Sequence, residues 1–549
     1  MLKELFVKYL EQGIKNNWEI HALSDYNGER YTYAEVATHI YKFHRLFSKL
    51  EIRKGDKIAL IGKNSAHWGI VYLSVVTYGA VIVPILPDFT AEDVVEIINH
   101  SDSVLLFSSE SIYENLDKGK LKNIHSTISL ETFLPLPVDD DNLSSKLADI
   151  DSDFESRFPG GLSSEDFQVE SVPNSEIAVI SYTSGTTGHS KGVVLSHNSL
   201  AANIRFARNN MPLNSGDPIV SFLPLAHAYG VAFEFLFPFS IGCHITFLTK
   251  TPSPQIIMQA FKEIRPALVL SVPLVIEKIF KKQIIPVISK TSMKILLNIP
   301  GVKKLIRNKI RSKLVAVFGG NFSEIVIGGA AFNQEAEKFF REINFPYTVG
   351  YGMTECGPLI SYAAWDVNRL GSSGKSVDTL EVIIDSPEPE SIVGEILLRG
   401  ENVMEGYYKN KEATKEIIDE DGWLHTGDLG IIDKDGFIYI KGRSKSLILG
   451  ASGQNIYPEE LESMLNTKYG VAESVVVHRD DKLVALIYAD PDVAENDKLS
   501  EQQLEELFEN YRKEINAQVA GYMQIARIEI HKEEFEKTPK RSIKRFLYS

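Results

Sequence analysis

Residues Tyr182 to Val193 read YTSGTTGHSKGV and begin on the last residue of the apolar run IAVISY. Three glycines (Gly185, Gly188, Gly192), five hydroxyl side chains (Thr183, Ser184, Thr186, Thr187, Ser190) and one lysine (Lys191) stand within it. A strand that ends in a glycine- and hydroxyl-rich loop can turn successive N–H and O–H groups toward one anion, with the lysine as a point charge. The stretch therefore predicts a phosphate cradle at the end of a sheet strand. Its spacing is neither G-x-x-x-x-G-K-[ST] nor G-x-G-x-x-G, and neither pattern occurs elsewhere in the chain.

Working outward, 549 residues exceed one core and suggest three or four compact units of about 100 to 200 residues. A hydrophobic content of 44% beside 24% charged residues is ordinary globular composition. The net charge of −15 argues against a nucleic-acid partner held by a general basic surface. Two distant cysteines, Cys243 and Cys356, support neither a disulfide framework nor a zinc site, and they point to a reducing compartment. The N-terminal MLKELFVKYLEQGIKNN has no apolar signal core, so the expected location is cytoplasmic. Gly69 to Pro87 is uncharged and nearly long enough to span a membrane. Gly79 and Ala80 divide it into a helical half and the β-branched VIVPI, which predicts a buried helix followed by a buried strand.

In the first 110 residues or so, short aliphatic runs such as KIALIG alternate with amphipathic helices, among them Ala34 to Leu50. The alternation predicts an α/β fold with a mostly parallel sheet covered on both faces. Leu134 to Asn174 is rich in Asp, Ser and Pro and reads as a surface excursion with little periodicity. After the loop come a helix over LSHNSLAANIRFARNN and then a strand, loop and apolar helix over IVSFLPLAHAYGVAFEFLFPF. Further on, SEIVIGGAA reads as a strand and Gln334 to Glu342 as a helix, ahead of a β-rich region over Val377 to Ile440 with Asp-Gly turns. Beyond Arg443 the pattern restarts as a small α+β unit. Lys281 to Lys313 carries ten Lys/Arg and no Asp/Glu among apolar residues, which suits either a solvated helical face or a peripheral contact with anionic lipid.

The phosphate loop, GGAA at Gly328–Ala331, YGMTE at Tyr351–Glu355, TGD ending at Asp428 and KGRSK around Arg443 follow one another in a set order. Together they resemble the adenylate-forming enzymes, the superfamily of acyl-CoA synthetases, luciferases and peptide-synthetase adenylation domains, over nearly the whole chain. The resemblance implies a large N-terminal adenylation domain over residues 1–444 and a small mobile C-terminal domain over 445–549, with the substrates ATP and coenzyme A and the cofactor Mg²⁺. It implies that Thr183, Ser184, Gly185, Thr186, Thr187, Gly188 and Lys191 hold the ATP phosphates, and that Gly329, Ala330, Ala331 and Gly350 wall the adenine, on which Tyr351 stacks. Thr354 would reach the α-phosphate, Glu355 would hold Mg²⁺, and Asp428 with Arg443 would bind the ribose hydroxyls.

By the same likeness His227 in PLAHAYG gates the passage between nucleotide and acyl pockets, although a lone histidine between apolar elements is more often a core residue. Lys445 falls at the hinge, and Gly453 in GASGQNIYPEELE lets the pantetheine pass. One position departs from the family. Where relatives carry a lysine that stabilises charge as the acyl-adenylate forms, TPKRSIKR aligns Ser542, with Lys540, Arg541 and Lys544 as substitutes. SFLPLAHAYG, SVPLVIEKIF and FPYTVGYGMTECGPLI resemble long-chain fatty acyl-CoA synthetases in particular. The alternatives are an acyl-AMP or acyl-carrier-protein ligase and, because Ser542 replaces the family lysine, a catalytically impaired binding protein for ATP and fatty acid.

Overall fold

A computed structural model of the chain describes residues 1–137, 140–183, 190–249, 253–280, 302–449, 454–480, 482–497, 499–538 and 543–548. The largest sheet has the strand order Gly406–Tyr407, Lys191–Ser196, Ile177–Thr183, Val81–Ile85, Lys57–Ile61, Ser103–Ser108, Ser126–Ser129. Its last five strands run parallel, and Lys191–Ser196 runs antiparallel to both of its neighbours. Alternate residues serve opposite faces, as a doubly covered sheet requires. Ile58, Leu60, Ile82 and Phe107 enter one buried cluster, while Ala59, Ile61, Val81, Val83 and Leu106 enter a second.

The uncharged stretch resolves as expected into the helix Ala66–Tyr78 and the strand Val81–Ile85. Ser65 caps that helix by accepting from the Trp68 amide, a contact that contributes about 1 kcal/mol. Gly79, in the left-handed region at φ 87°, ends it. Nearly every residue of the helix is buried, so its all-round apolarity reflects a core helix. Among the described residues no helix is long and apolar enough to cross a membrane.

Leu134 to Asn174 is a correction. It contains the helix Asp141–Arg157, N-capped by Asp140 and buried through Leu143, Ile150 and Phe154. These residues, with Leu147, follow the 3.6-residue period, and the many acids around them masked it. The acids face a basic stripe on the helix Tyr33–Lys49, pairing Asp149 with Lys49, Asp151 with Lys42 and Asp153 with Arg45.

Two further sheets flank the site. Leu268–Ser271, Glu324–Ile327 and Tyr347–Val349 run parallel, and Leu380–Asp385, Gly394–Gly400, Leu424–Ile432 and Ile438–Arg443 form an antiparallel sheet. The region expected to be β-rich also holds the helix Lys411–Ile417. Past residue 455, the strands Val471–Arg479, Lys482–Ala489 and Ile525–His531 pack with the helices Pro458–Asn466 and Glu501–Asn516 around clusters of their own.

Candidate active site

Thr183 and Lys191 stand opposite each other where the strands Ile177–Thr183 and Lys191–Ser196 diverge, and Thr183 Oγ1 donates to the Lys191 carbonyl at 3.4 Å. Ser184, Gly185, Thr186, Thr187 and Gly188 lie outside the described residues. The Lys191 ammonium sits over the Tyr407 ring, 4.9 Å from its centre. The Tyr407 hydroxyl in turn donates to Glu355 Oε1 at 2.9 Å.

The placement of Tyr407 follows from its backbone. The Glu405 amide donates to the Val194 carbonyl, the Tyr408 amide to the Gly192 carbonyl at 2.7 Å, and the Met404 amide to the Glu355 carbonyl at 2.8 Å. One short segment is thus bonded both to the strand Lys191–Ser196 and to the turn Thr354–Cys356. Gly406 makes its path possible. It lies at φ 133°, and an added Cβ would sit 2.7 Å from the Thr414 side chain. Burial, and then the Glu355 carboxylate, raise the Tyr407 phenol, so it remains a donor.

Glu355 is half-buried beside Thr354 in a single 3₁₀ turn closed by Gly357 at φ 61°. Among the described residues no lysine or arginine pairs with its carboxylate. One hard carboxylate that pairs with no lysine or arginine among the described residues suits Mg²⁺, which binds through one or two carboxylates plus phosphate oxygens. Among the described residues no group of three ligands could hold a metal without the substrate.

Asp428 and Arg443 are opposed across their antiparallel strands. Asp428 Oδ1 accepts from Arg443 Nε at 2.9 Å and Oδ2 from the Tyr351 hydroxyl at 2.7 Å. Asp428 is 5% exposed, whereas the Arg443 side chain is 65% exposed. Each carboxylate oxygen keeps capacity for another donor, so the group can still receive two hydroxyls. Burial and the Asp428 charge hold the Tyr351 phenol well above its ordinary range. Tyr351 begins only four residues before Glu355, a backbone reach of at most about 14 Å. Gly350 precedes it, half-buried.

The strand Glu324–Ile327 ends before the GGAA segment. Gly329 has φ 87°, and Gly329, Ala330 and Ala331 are exposed. Gly328 faces Tyr229: an added Cβ would lie 3.2 Å from its ring, and the Tyr229 hydroxyl donates to the Val326 carbonyl at 3.0 Å. Half-buried His227 starts the helix Ala228–Gly230, which widens into a π-helical turn over Val231–Leu236. Such turns recur at functional sites. Glu234, fully buried on that turn, accepts from Ser221 Oγ and from the amides of Phe222 and Leu223 at 2.9 to 3.0 Å. It thereby joins the two ends of the His227 loop. A small cavity lined by Val179, Ser181, Ala226, Val231 and Gly357 links that loop to the strand Ile177–Thr183.

Lys445 is exposed in the turn Ser444–Ser446. Gly453, Lys540, Arg541 and Ser542 lie outside the described residues, as do 281–301 of the basic stretch. Lys544 pairs with Glu536 at 3.5 Å. Asn333 caps the helix Gln334–Glu342 and its Nδ2 donates to the Ser463 carbonyl of the C-terminal unit at 2.8 Å.

Tyr407 and Glu234 are the site residues that sequence reasoning missed. Glu234 carried a signal, a lone acid in an apolar helix. Tyr407 carried none, because its role depends on which strand its two-residue strand pairs with.

The AMP-binding enzyme family matches residues 10–408. Among curated proteins, the long-chain-fatty-acid–CoA ligase FadD15 of Mycobacterium bovis is 29% identical over 492 residues, covering 84% of this chain and 78% of that protein. The chloroplastic long-chain-fatty-acid–[acyl-carrier-protein] ligase AEE15 of Arabidopsis thaliana is 27% identical, covering 83% and 72%. Among solved structures, the anthranilate CoA ligase AuaEII in complex with anthranoyl-AMP superposes with a TM-score of 0.78 at 19% identity, covering 100% and 97%. ATP-bound MatB from Rhodopseudomonas palustris gives 0.75 at 22% identity, covering 98% of each chain. These superpositions establish the fold.

Proposed function

The chain belongs to the AMP-binding enzymes, and from that premise we propose that it activates a long-chain fatty acid with ATP and passes the acyl group to the thiol of coenzyme A. In the first step a fatty-acid carboxylate oxygen attacks the α-phosphorus, the bond to the β-phosphate breaks, and acyl-AMP and pyrophosphate form. In the second step the thiol sulfur attacks the acyl carbon, AMP leaves, and the thiol proton is released. Activation turns a poor leaving group into a good one, and the protein's task is mostly positioning and neutralising phosphate charge.

The reading rests chiefly on one juxtaposition: Asp428 and Arg443 are bonded together with Tyr351, which stands within about 14 Å of backbone from Glu355, and Glu355 meets Lys191 through Tyr407. Base and ribose belong at the first group, and phosphates at Thr183, Lys191 and Thr354. Bound at Glu355, Mg²⁺ would supply charge neutralisation for the phosphates. His227 gates the acyl pocket, with its loop pinned by Glu234. Residues 1–444 carry these groups, and residues 445–549 turn about Lys445 to bring the Gly453 loop to the thiol step.

The long-chain substrate is inferred from relatives that bear that name, and the carrier-protein ligase among them supports a second reading in which the acceptor is a carrier protein. Release of AMP on adding coenzyme A alone separates the two. On the helix Val302–Val317, Leu305 is 71% exposed and Lys303, Lys304, Lys309 and Lys313 are exposed as well, and we assign this helix to an anionic membrane surface.

The test is palmitate-dependent exchange of labelled pyrophosphate into ATP, in the chain and in its Ser542→Lys variant. Exchange in both means that a neighbouring cation replaces the family lysine. Exchange in the variant alone means a chain slow in its first step. Exchange in neither refutes fatty-acid activation.

A further inference from the structure

The Lys191 ammonium and the Glu355 carboxylate converge on one side chain without forming an ion pair with each other. Between them stands Tyr407, its ring face 4.9 Å from the ammonium and its hydroxyl 2.9 Å from the carboxylate. A direct pair between this lysine and this glutamate would take both from a substrate that needs one for phosphate and the other for a metal ion. An aromatic face holds a cation without neutralising it, and a phenol donates to a carboxylate without occupying its remaining lone pairs.

We propose that Tyr407 is a positioning residue that keeps Lys191 and Glu355 apart and aims each at the nucleotide, the lysine at the phosphates and the carboxylate at the divalent cation. The inference rests on the nucleotide site proposed above and concerns a residue that no sequence motif selected. Its rigidity comes from the backbone. The Gly406–Tyr407 strand is bonded to Lys191–Ser196, the Tyr407 amide donates to Thr414 Oγ1 at 2.9 Å, and the Met404 amide holds the Glu355 carbonyl. The neighbouring Tyr408 differs in what it touches. Its hydroxyl donates to Asp102 Oδ2 at 2.9 Å, so it serves as an internal control.

The experiment is calorimetric titration of the full chain with a non-hydrolysable ATP analogue, with and without Mg²⁺, for the parent, Tyr407→Phe, Tyr407→Leu and Tyr408→Phe, alongside thermal melts. Tyr407→Phe keeps the ring and loses the donor. The Mg²⁺ concentration for half-maximal nucleotide binding should rise about threefold or more, while metal-free affinity stays near the parent's. Tyr407→Leu removes the spacer, lets Lys191 reach Glu355, and should weaken both by about tenfold. Tyr408→Phe should leave both unchanged. Parent-like values in both Tyr407 variants overturn the proposal, as does an equal shift in Tyr408→Phe. If Tyr407→Leu fails to fold, the split between metal-dependent and metal-free binding in Tyr407→Phe decides. Should the parent bind nucleotide yet show no palmitate-dependent exchange, the fatty-acid reading fails while this comparison still stands or falls on its own. A parent that binds no nucleotide would remove both.

Discussion

Replacing Asp428 with Asn exchanges one carboxylate oxygen for an NH2 group and tests the ribose assignment directly. In the folded protein the carboxylate takes the Tyr351 hydroxyl at 2.7 Å and Arg443 Nε at 2.9 Å. The arginine side chain is 65% exposed, so its ion pair contributes at most about 1 kcal/mol. The buried hydroxyl–carboxylate bond is stronger, about 1.5 to 3 kcal/mol, and the Asn carbonyl retains one acceptor. The expected stability loss is therefore about 1 to 3 kcal/mol, read by chemical denaturation. Binding carries the sharper signature. If Asp428 accepts ribose hydroxyls, the parent should favour ATP over 2′-deoxy- or 3′-deoxy-ATP by about tenfold or more for the hydroxyl it accepts, the cost of one charge-assisted hydrogen bond. In Asp428→Asn that preference should shrink to within about threefold. Because the comparison is made within each protein, a general loss of stability cancels. A variant that binds more weakly yet keeps the parent's full preference against both deoxynucleotides would refute the assignment of Asp428 to the ribose.

Two other outcomes follow from burial and charge. Burial lowers His197, whose ring lies tilted 5.5 Å from that of Phe6 and has no hydrogen-bond partner at either nitrogen among the described residues, to about 4. An unfolded histidine titrates near 6.5, so the unfolded state binds the extra proton first and stability is lost as pH falls from about 6.5 toward about 4. At pH 5 this single site costs about 2 kcal/mol, so His197→Phe should reduce the drop in melting temperature between pH 7.5 and pH 5. An unchanged drop would place the acid sensitivity elsewhere, for instance at buried His44 or His244, which burial also lowers to about 4. On the helix Val302–Val317, each lysine near an anionic surface contributes about 1 kcal/mol, so replacing Lys303, Lys304, Lys309 and Lys313 together with Gln should cut binding to phosphatidylserine vesicles at least tenfold. Neutral vesicles should bind neither form, and equal binding of the parent to both vesicle types would count against the assignment.

The sequence alone determined much of this protein, because the relevant signals are local. Strand and helix periods, the apolar split at Gly79–Ala80 and the apolar run IAVISY depend only on neighbouring residues, and the elements formed where those patterns lay. The order of the motifs was equally legible. The helix Asp141–Arg157 was not, since its acids read as solvated until the basic face of Tyr33–Lys49 was packed against them. Only the tertiary structure decided that Tyr351 bonds Asp428, and that Glu234 closes the His227 loop. It alone set Tyr407 between Lys191 and Glu355, across 216 and 52 positions of chain. Such contacts depend on which strands pair and in what register. That outcome is set by how the whole chain buries its apolar surface, so no local pattern encodes it.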